Sequence, residues 1–593
     1  MNFGANRGAD CHLPALKEIV MDHKAADAFA KLMKDAAKTH PLFAGIDPEK
    51  TTQMTEEMTK TLQAMLSPQG MAEWMQSWMD YQTEMAQLWQ QSLSPSATEP
   101  SKDTRFKADD WNEGVFPFLR QSYALTAKAM ADFADKAGLP EHEQRKLSFY
   151  TRVAADALSP SNYALTNPEV IKLAQETKGQ SLVDGFKNML ADLEKGYITT
   201  TDEAAFTVGG NLANTPGSVI LRNDLFELIQ YQPRTDKVRS NPVLIIPPCV
   251  NKFYIFDINE KKSMIRYMLD QGHTVFTIAW RNPGPETRDL DWNDYLRDGI
   301  FAALDVTTDI VKGAKVDLLS WCNGGTMLLA ALAVMTKDQK AHVGTATFLS
   351  SMIDFADPGQ VEVFIDQPQL QAYNKRLETA GVAPGRDIAA AMAMLHVNES
   401  IWGFVIGNYL KGKSPPPFDI LYWNADTSNL PAKWYAYYTE EMYLANKLRE
   451  PGALTLLDTP VDTRNIDVAC YFVAATADHI VPWKTSYAAT GLVSGDTEFV
   501  LTTGGHVSGT VINHPERNRR YFLTEGDRSQ SPEDWQAAAT RTEGSWWPHW
   551  LAWLAEKNNG TEQAAPATLG NRTHKALAAA PGTYVLEQVS QQG

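Results

Sequence analysis

The chain has 593 residues, too many for one ordinary domain, and its 44% apolar fraction is that of a globular protein. A formal net charge of −17 excludes nucleic-acid binding as the main role and gives no long-range help in attracting an anionic substrate. Four cysteines (Cys11, Cys249, Cys322, Cys470) without metal-type spacing point to a reduced compartment, and neither a signal-peptide core nor a membrane-length apolar run is present, so the expectation is a cytoplasmic protein with no transmembrane segment and no metal.

Residues 1–200 contain almost nothing that reads as strand. In residues 1–91 the stretch from Thr51 to Gln91 is dense in methionine and tryptophan. Met71, Met75 and Met79 recur at helical spacing with Trp74 and Trp78 beside them, which predicts an amphipathic helix with one greasy face. Such a face either packs on another helix or adapts to an apolar partner, since methionine repacks easily. Residues 92–104 are polar with two prolines and read as a linker. Helical patterns resume over 105–200, at Phe116 to Ala134 and Pro168 to Leu193, with a turn at Ser159-Pro-Ser-Asn162.

The texture changes after residue 200. Val219 to Tyr231 is strand-rich, and Pro242-Val-Leu-Ile-Ile-Pro-Pro248 and Thr274-Val-Phe-Thr-Ile-Ala-Trp280 read as buried strands around a helix over Asn259 to Gly272. Asp291 to Val311 predicts a helix, Val316 to Leu319 a strand, Thr326 to Met335 a helix, and Thr345 to Met352 a strand. This alternation implies a mainly parallel sheet covered on both faces, an α/β domain over 201–593. The alternation breaks over about 354–451, which is too long for a loop and rich in Pro, Tyr and Trp. It reads as a helical cap inserted over the sheet, with aromatics that form cap core or line an apolar tunnel. The sheet resumes at Val468 to Ala475 and Glu498 to Thr502, and Gly544 to Trp550 starts an aromatic helix. Beyond Asn558 the Ala/Gly/Pro-rich tail is expected to be loosely held.

The chemistry centres on Ser320-Trp-Cys-Asn-Gly-Gly325. A strand, a tight turn carrying a nucleophile, and a helix make the nucleophile-elbow layout, usually Gly-x-Ser-x-Gly and here Ser-x-Cys-x-Gly. The flanks must be small because backbones crowd at the turn. Gly324 meets that demand, and Ser320 only approximately. In such sheets an acid and then a histidine follow in chain order, each past a strand end. Asp478, after the strand ending at Ala475, and His506, in Thr503-Gly-Gly-His506, occupy those places. Cys322 is thus the candidate nucleophile, His506 its base and Asp478 the group that holds the imidazole. His479 competes weakly as base and is read as an auxiliary residue. The oxyanion donors are expected to be the Asn323 N–H and one N–H from Pro247-Pro-Cys-Val-Asn251, Cys249 or Val250, with Val250 preferred.

Cysteine instead of serine also points to a substrate class. A thiolate attacking a thioester forms another thioester near energetic balance, and transfer to a hydroxyl is then downhill. The expected substrate is an acyl-CoA, with an alcohol or water as acceptor and no cofactor.

From Arg105 onward the chain resembles the class I polyhydroxyalkanoate (PHA) synthases. The carriers are Arg105-Phe-Lys107, Ser159-Pro-Ser-Asn162, Asn167-Pro168, Thr215-Pro-Gly217, Glu227-Leu-Ile-Gln-Tyr231, Pro247-Pro-Cys-Val-Asn-Lys-Phe-Tyr254 and Trp280-Arg-Asn-Pro283. Cys322-Asn-Gly-Gly-Thr326, Tyr422-Trp-Asn424, Asp478-His-Ile-Val-Pro-Trp483, Gly505-His506, Gly544-Ser-Trp-Trp-Pro548 and Ala580-Pro-Gly-Thr-Tyr-Val585 complete them. The resemblance implies an α/β-hydrolase core with an inserted cap and a mostly helical N-terminal domain. It implies polymerisation of (R)-3-hydroxyacyl-CoA, of the short-chain type such as 3-hydroxybutyryl-CoA, with release of CoA. The acyl chain would ride on Cys322, with His506 deprotonating the thiol and Asp478 helping to activate the attacking 3-hydroxyl. It further implies a homodimer working at the surface of a polyester granule in the cytoplasm. A thioesterase or intracellular polyester depolymerase of the same fold is the alternative, and a non-catalytic granule-coating role a third. The chain departs from the family at Ser320, Trp321 and Asn323, where glycine, Tyr or Phe, and an aliphatic residue are common, and at Ser508.

Overall fold

The structure is a computed structural model that describes residues 68–92, 101–517, 520–558 and 560–588. Residues 1–67, which include Cys11 and the first part of the greasy stretch, the side chains of Met71 and Trp74, and the centre of the linker lie outside the described residues. The chain divides into two compact units: Met1–Ile198 with Tyr409–Gly412, and Thr199–Asn408 with Lys413–Gly593.

The first unit is helical: α1 (Pro68–Ser92), α2 (Phe116–Asp135), α3 (Glu141–Ala157), α4 (Pro168–Glu176) and α5 (Gln180–Lys195). Trp89 of α1 meets Phe118 of α2 edge-on at 5.6 Å, and Tyr81 Oη lies 3.1 Å from Thr126 Oγ1. Met75, Trp78 and Met79 are more than half exposed or close to it, so this stretch of the greasy face is not packed away. The single helix expected over Pro168 to Leu193 is two. Asn167 caps α4 by accepting the Glu169 and Val170 N–H groups, and positive φ at Lys178 (52°) and Gly179 (87°) breaks the run before α5.

The second unit is built on an eleven-stranded sheet. Its strands are β1 (Gly217–Arg222), β2 (Phe226–Tyr231), β3 (Val243–Ile246), β4 (Val275–Trp280), β5 (Val316–Trp321), β6 (Val343–Leu349), β7 (Ala469–Ala475), β8 (Thr497–Thr502), β9 (Tyr521–Thr524), β10 (Thr540–Glu543) and β11 (Ala578–Ala579). The order is β10-β9-β8-β7-β6-β5-β3-β4-β2-β1-β11. Neighbours from β8 through β4 pair parallel, and both margins are antiparallel. The central strands β3, β4 and β5 are buried on both faces, as their unbroken apolar runs require. The helix expected from Asn259 is shorter: α6 (Met264–Asp270) begins only after Ser263, whose side chain caps the Arg266 N–H. The helix expected over Asp291 to Val311 runs from Trp292 to Ile310 through a π-helical stretch at Tyr295–Phe301. At Gly299 a Cβ would stand 2.9 Å from the Trp280 ring, so the close packing there requires glycine. After β5 comes α7 (Asn323–Val334), every residue of which is buried.

Between β6 and β7 lie the cap helices α8 (Gln367–Ala380), α9 (Gly385–Leu395), α10 (Asp419–Ala425) and α11 (Ala432–Tyr437). Trp434 is fully buried and stacks on Trp292 at 5.1 Å, so this aromatic is cap core. The two ends of the insertion are pinned together. Asp354 accepts from Asn446 Nδ2 (2.8 Å) and from Arg449 Nη1 (2.7 Å).

The tail beyond Asn558 is held, contrary to the sequence-based expectation. After α12 (Trp547–Asn558), residues 562–564 pair with 237–239, and β11 pairs with β1. Fully buried Glu227 then accepts from Thr583 N (2.8 Å), Thr583 Oγ1 (3.0 Å) and Tyr584 N (3.1 Å), and Val585 is buried. Composition misled here because the tail is ordered by one distant carboxylate and an edge strand, not by its own apolar content. Among the described residues no single helix is long and apolar enough to cross a membrane.

Candidate active site

β5 delivers the chain to Cys322 at its end, and α7 leaves from the next residue. Cys322 has φ 53° and ψ −131°, a conformation that costs a non-glycine residue about 1–3 kcal/mol. It is held there by its N–H bond to Leu349 O (3.0 Å) and by Gly325 N bonding to its carbonyl (3.0 Å). The crowding expected of an elbow falls on the C-terminal side. A Cβ on Gly324 would stand 2.5 Å from Ile246 O, and one on Gly325 would stand 1.8 Å from Ser351 Oγ. Ser320 fits without such conflict: it is fully buried and its hydroxyl donates to Thr347 O at 2.9 Å.

Asp478 follows β7 and is buried. Its Oδ1 accepts the Ile480 N–H (3.0 Å) and the Val481 N–H (2.9 Å), and its Oδ2 accepts His506 Nδ1 at 2.7 Å. Burial works to raise this carboxyl, but the charge and hydrogen bond of His506 and the Val481 N–H outweigh it and hold the group below the usual carboxylate range. His506 follows β8 and opens a π-helical turn, His506–Val511. Its Nδ1 is taken by Asp478, which leaves Nε2 as the nitrogen available to Cys322. Burial disfavours its charge; Asp478 and Cys322 outweigh that and raise the imidazole to about 10. The Trp321 ring lies against the imidazole at 4.9 Å, fixing its plane. The structure therefore brings Cys322, His506 and Asp478 into one chain of interacting groups, the imidazole hydrogen-bonded to the carboxylate and its charge favoured by Cys322.

His479 is not part of that chain. Its ring meets His396 of the cap edge-on at 4.1 Å, and burial with the His396 charge pushes it down. Val250 lies in the loop after β3, which packs on the elbow: Cys249 N donates to Asn323 Oδ1 at 3.2 Å, and Val250 O accepts from Ser428 N at 3.1 Å. Sequence reasoning did not single out Tyr438 and Tyr443, whose rings stand 5.2 Å apart beside Cys322; burial above all opposes their ionisation, helped by Tyr443 and then Cys322 at Tyr438 and by Cys322 at Tyr443. Only the aromatic density of the cap hinted at them. Among the described residues no group of three or more His, Cys, Asp or Glu side chains is placed to hold a metal ion.

Two family models match the chain: the N-terminus of poly-beta-hydroxybutyrate polymerase (PhaC) over residues 102–268 and the alpha/beta hydrolase fold over residues 242–509. The chain is 40% identical over 513 residues to the poly(3-hydroxyalkanoate) polymerase subunit PhaC of Cupriavidus necator, covering 85% of this chain and 87% of that protein. It is 37% identical over 548 residues to the poly(3-hydroxyalkanoate) polymerase of Methylorubrum extorquens, covering 90% of each. With the PhaC subunit of Rhizobium etli it shares 38% identity over 504 residues, 83% of this chain and 78% of that one. With identity at this level spread over most of both partners, and the sheet and elbow described above, the chain belongs to the poly(3-hydroxyalkanoate) polymerase family of acyltransferases, on an α/β-hydrolase fold.

Proposed function

We propose that the protein polymerises short-chain (R)-3-hydroxyacyl-CoA, such as 3-hydroxybutyryl-CoA, into polyhydroxyalkanoate with release of CoA. The observation that carries this reading is the Asp478–His506–Cys322 chain at a strained elbow, in a member of this family. With the imidazole already favoured in its charged form, His506 Nε2 holds the proton that came from the Cys322 thiol as the sulfur attacks the thioester carbonyl. The oxyanion forms between the Asn323 and Val250 N–H groups. Collapse expels CoA, which takes the proton from His506 and leaves the acyl group on Cys322 as a thioester. The 3-hydroxyl of an acyl unit then gives His506 its proton as its oxygen attacks that thioester, and an ester forms while the sulfur is released. Both carboxylate oxygens of Asp478 are engaged, so it acts on the hydroxyl through the imidazole. No cofactor enters this scheme.

The working partners in this reading are a second copy of the chain and the growing polyester granule in the cytoplasm. The exposed Met75, Trp78 and Met79 of α1 suit an apolar surface of that kind. Thioester or ester hydrolysis differs only in the acceptor. The test is purified protein with 3-hydroxybutyryl-CoA, followed by CoA release and recovered polymer, repeated with longer acyl chains. Insoluble polyester made by the wild type and abolished in Cys322→Ala supports the proposal. CoA release without polymer would establish a hydrolase instead.

A further inference from the structure

The residue after the nucleophile supplies a backbone N–H to the oxyanion in the reading above, and an aliphatic side chain is common there in the family. In this chain it is an amide, and it is buried. Asn323 Oδ1 accepts the Cys249 N–H at 3.2 Å, and Asn323 Nδ2 faces Cys249 Sγ at 3.6 Å. That spends the whole side chain on one residue of the loop after β3.

The rest of that loop is anchored through its carbonyls and its far end. Trp280 Nε1 donates to Pro247 O (2.9 Å), and Ser428 N donates to Val250 O (3.1 Å). Asn251 makes an isolated bridge to Thr427. The buried Lys252 ammonium, near Asp426, donates to Glu587 O. The donors are a different matter. Pro247 and Pro248 have no N–H, and the Cys249 N–H is already taken by Asn323, so the next N–H along the loop is that of Val250. Without an acceptor at position 323 the buried Cys249 N–H is left unsatisfied, and the short stretch between the Pro247 and Val250 anchors loses the bond that fixes its turn.

We propose that the Asn323 side chain is a positioning residue for the oxyanion loop: by binding the Cys249 N–H it sets the turn that aims the Val250 N–H at the developing oxyanion. The proposal rests on the functional reading above. It assigns a second role to Asn323, distinct from that of its backbone N–H, and it explains why an amide is tolerated where an aliphatic residue is common.

The test compares Asn323→Val, which fills the space without an acceptor, with Asn323→Asp, which keeps an acceptor for the Cys249 N–H. Hydrogen exchange of the peptide spanning 247–254 is the direct readout. Faster exchange by about tenfold in N323V, and within about twofold of wild type in N323D, is expected for a loop held by this bond. In N323V, kcat for CoA release should fall roughly 3- to 10-fold, the effect of one net hydrogen bond, with KM nearly unchanged. Alkylation of Cys322 by iodoacetamide should stay within about twofold, because the His506 partnership is untouched. Unchanged exchange in N323V, an unchanged or higher kcat, or alkylation falling in parallel with kcat would each overturn the proposal. If the wild type releases no CoA from any hydroxyacyl-CoA, the functional reading fails, while the exchange comparison still decides whether Asn323 holds the loop.

Discussion

Gly324→Ala puts one methyl group into the most crowded part of the elbow. The new Cβ would stand 2.5 Å from Ile246 O and 2.8 Å from Pro247 C and O, so the nearest contact is short of an ordinary 3.4 Å by about 0.9 Å. Neither side can retreat freely. Ile246 ends β3, which is buried and paired on both edges, and Gly324 sits in the first turn of a wholly buried α7. The displacement therefore passes into Pro247 and on to Cys249 and Val250. Overpacking of this kind costs about 1–3 kcal/mol of stability, and a 1 Å misplacement of an aimed donor costs on the order of 100-fold in rate. The expected outcome is a melting temperature lower by a few degrees and kcat for CoA release reduced roughly 30- to 100-fold. Alkylation of Cys322 in the same sample shows that the nucleophile itself is intact. Turnover within about twofold of wild type, at an unchanged melting temperature, would refute the claim that backbone proximity at 246–247 governs the site.

Two further outcomes follow from the same geometry. His506, raised to about 10 because Asp478 and Cys322 outweigh burial, stabilises the fold fully below 6.5 and loses that contribution as pH climbs through about 10. Asp478, where His506 outweighs burial, contributes above 3.8 and loses it as pH falls through its depressed value, so Asp478→Asn should lower the melting temperature most between 3.8 and 6.5. A deficit of the same size at pH 5.5 and above pH 10 would show that charge pairing is not its source. Glu227→Ala leaves Arg222, two backbone N–H groups and the Thr583 hydroxyl without their acceptor. A loss of about 2–4 kcal/mol and faster proteolysis within 570–588 are expected; a tail cleaved no faster than wild type would show that other contacts hold it.

The elbow, the acid and the histidine could be read from the sequence because each is a local signal: an apolar strand, a small-residue turn, and a chemistry-bearing residue just past the strand end. Their order along the chain then replaced any knowledge of distance. What escaped depends on distant partners or on special backbone. The break between α4 and α5 needs a positive φ at Lys178, which no apolar period announces. β10 is exposed along its length and carries no hydrophobic alternation, so only its pairing with β9 makes it a strand. Ser320 looked a poor elbow residue because its hydrogen bond goes to Thr347 on the next strand. The partner of Asn323 lies 74 residues earlier, and that of Thr583 lies 356 residues earlier, beyond the reach of any local pattern.

The bond from Lys252 to Glu587 spans 335 residues. Lys252 belongs to the loop after β3, and Glu587 is made long after Cys322, Asp478 and His506. During synthesis Cys322, Asp478 and His506 therefore all exist before this anchor of the loop does. The nascent polypeptide can carry a thiol beside an imidazole while one end of the loop still lacks its tether. The loop after β3 then gains this anchor only when the tail docks, so the surroundings of Cys322 are completed late in assembly.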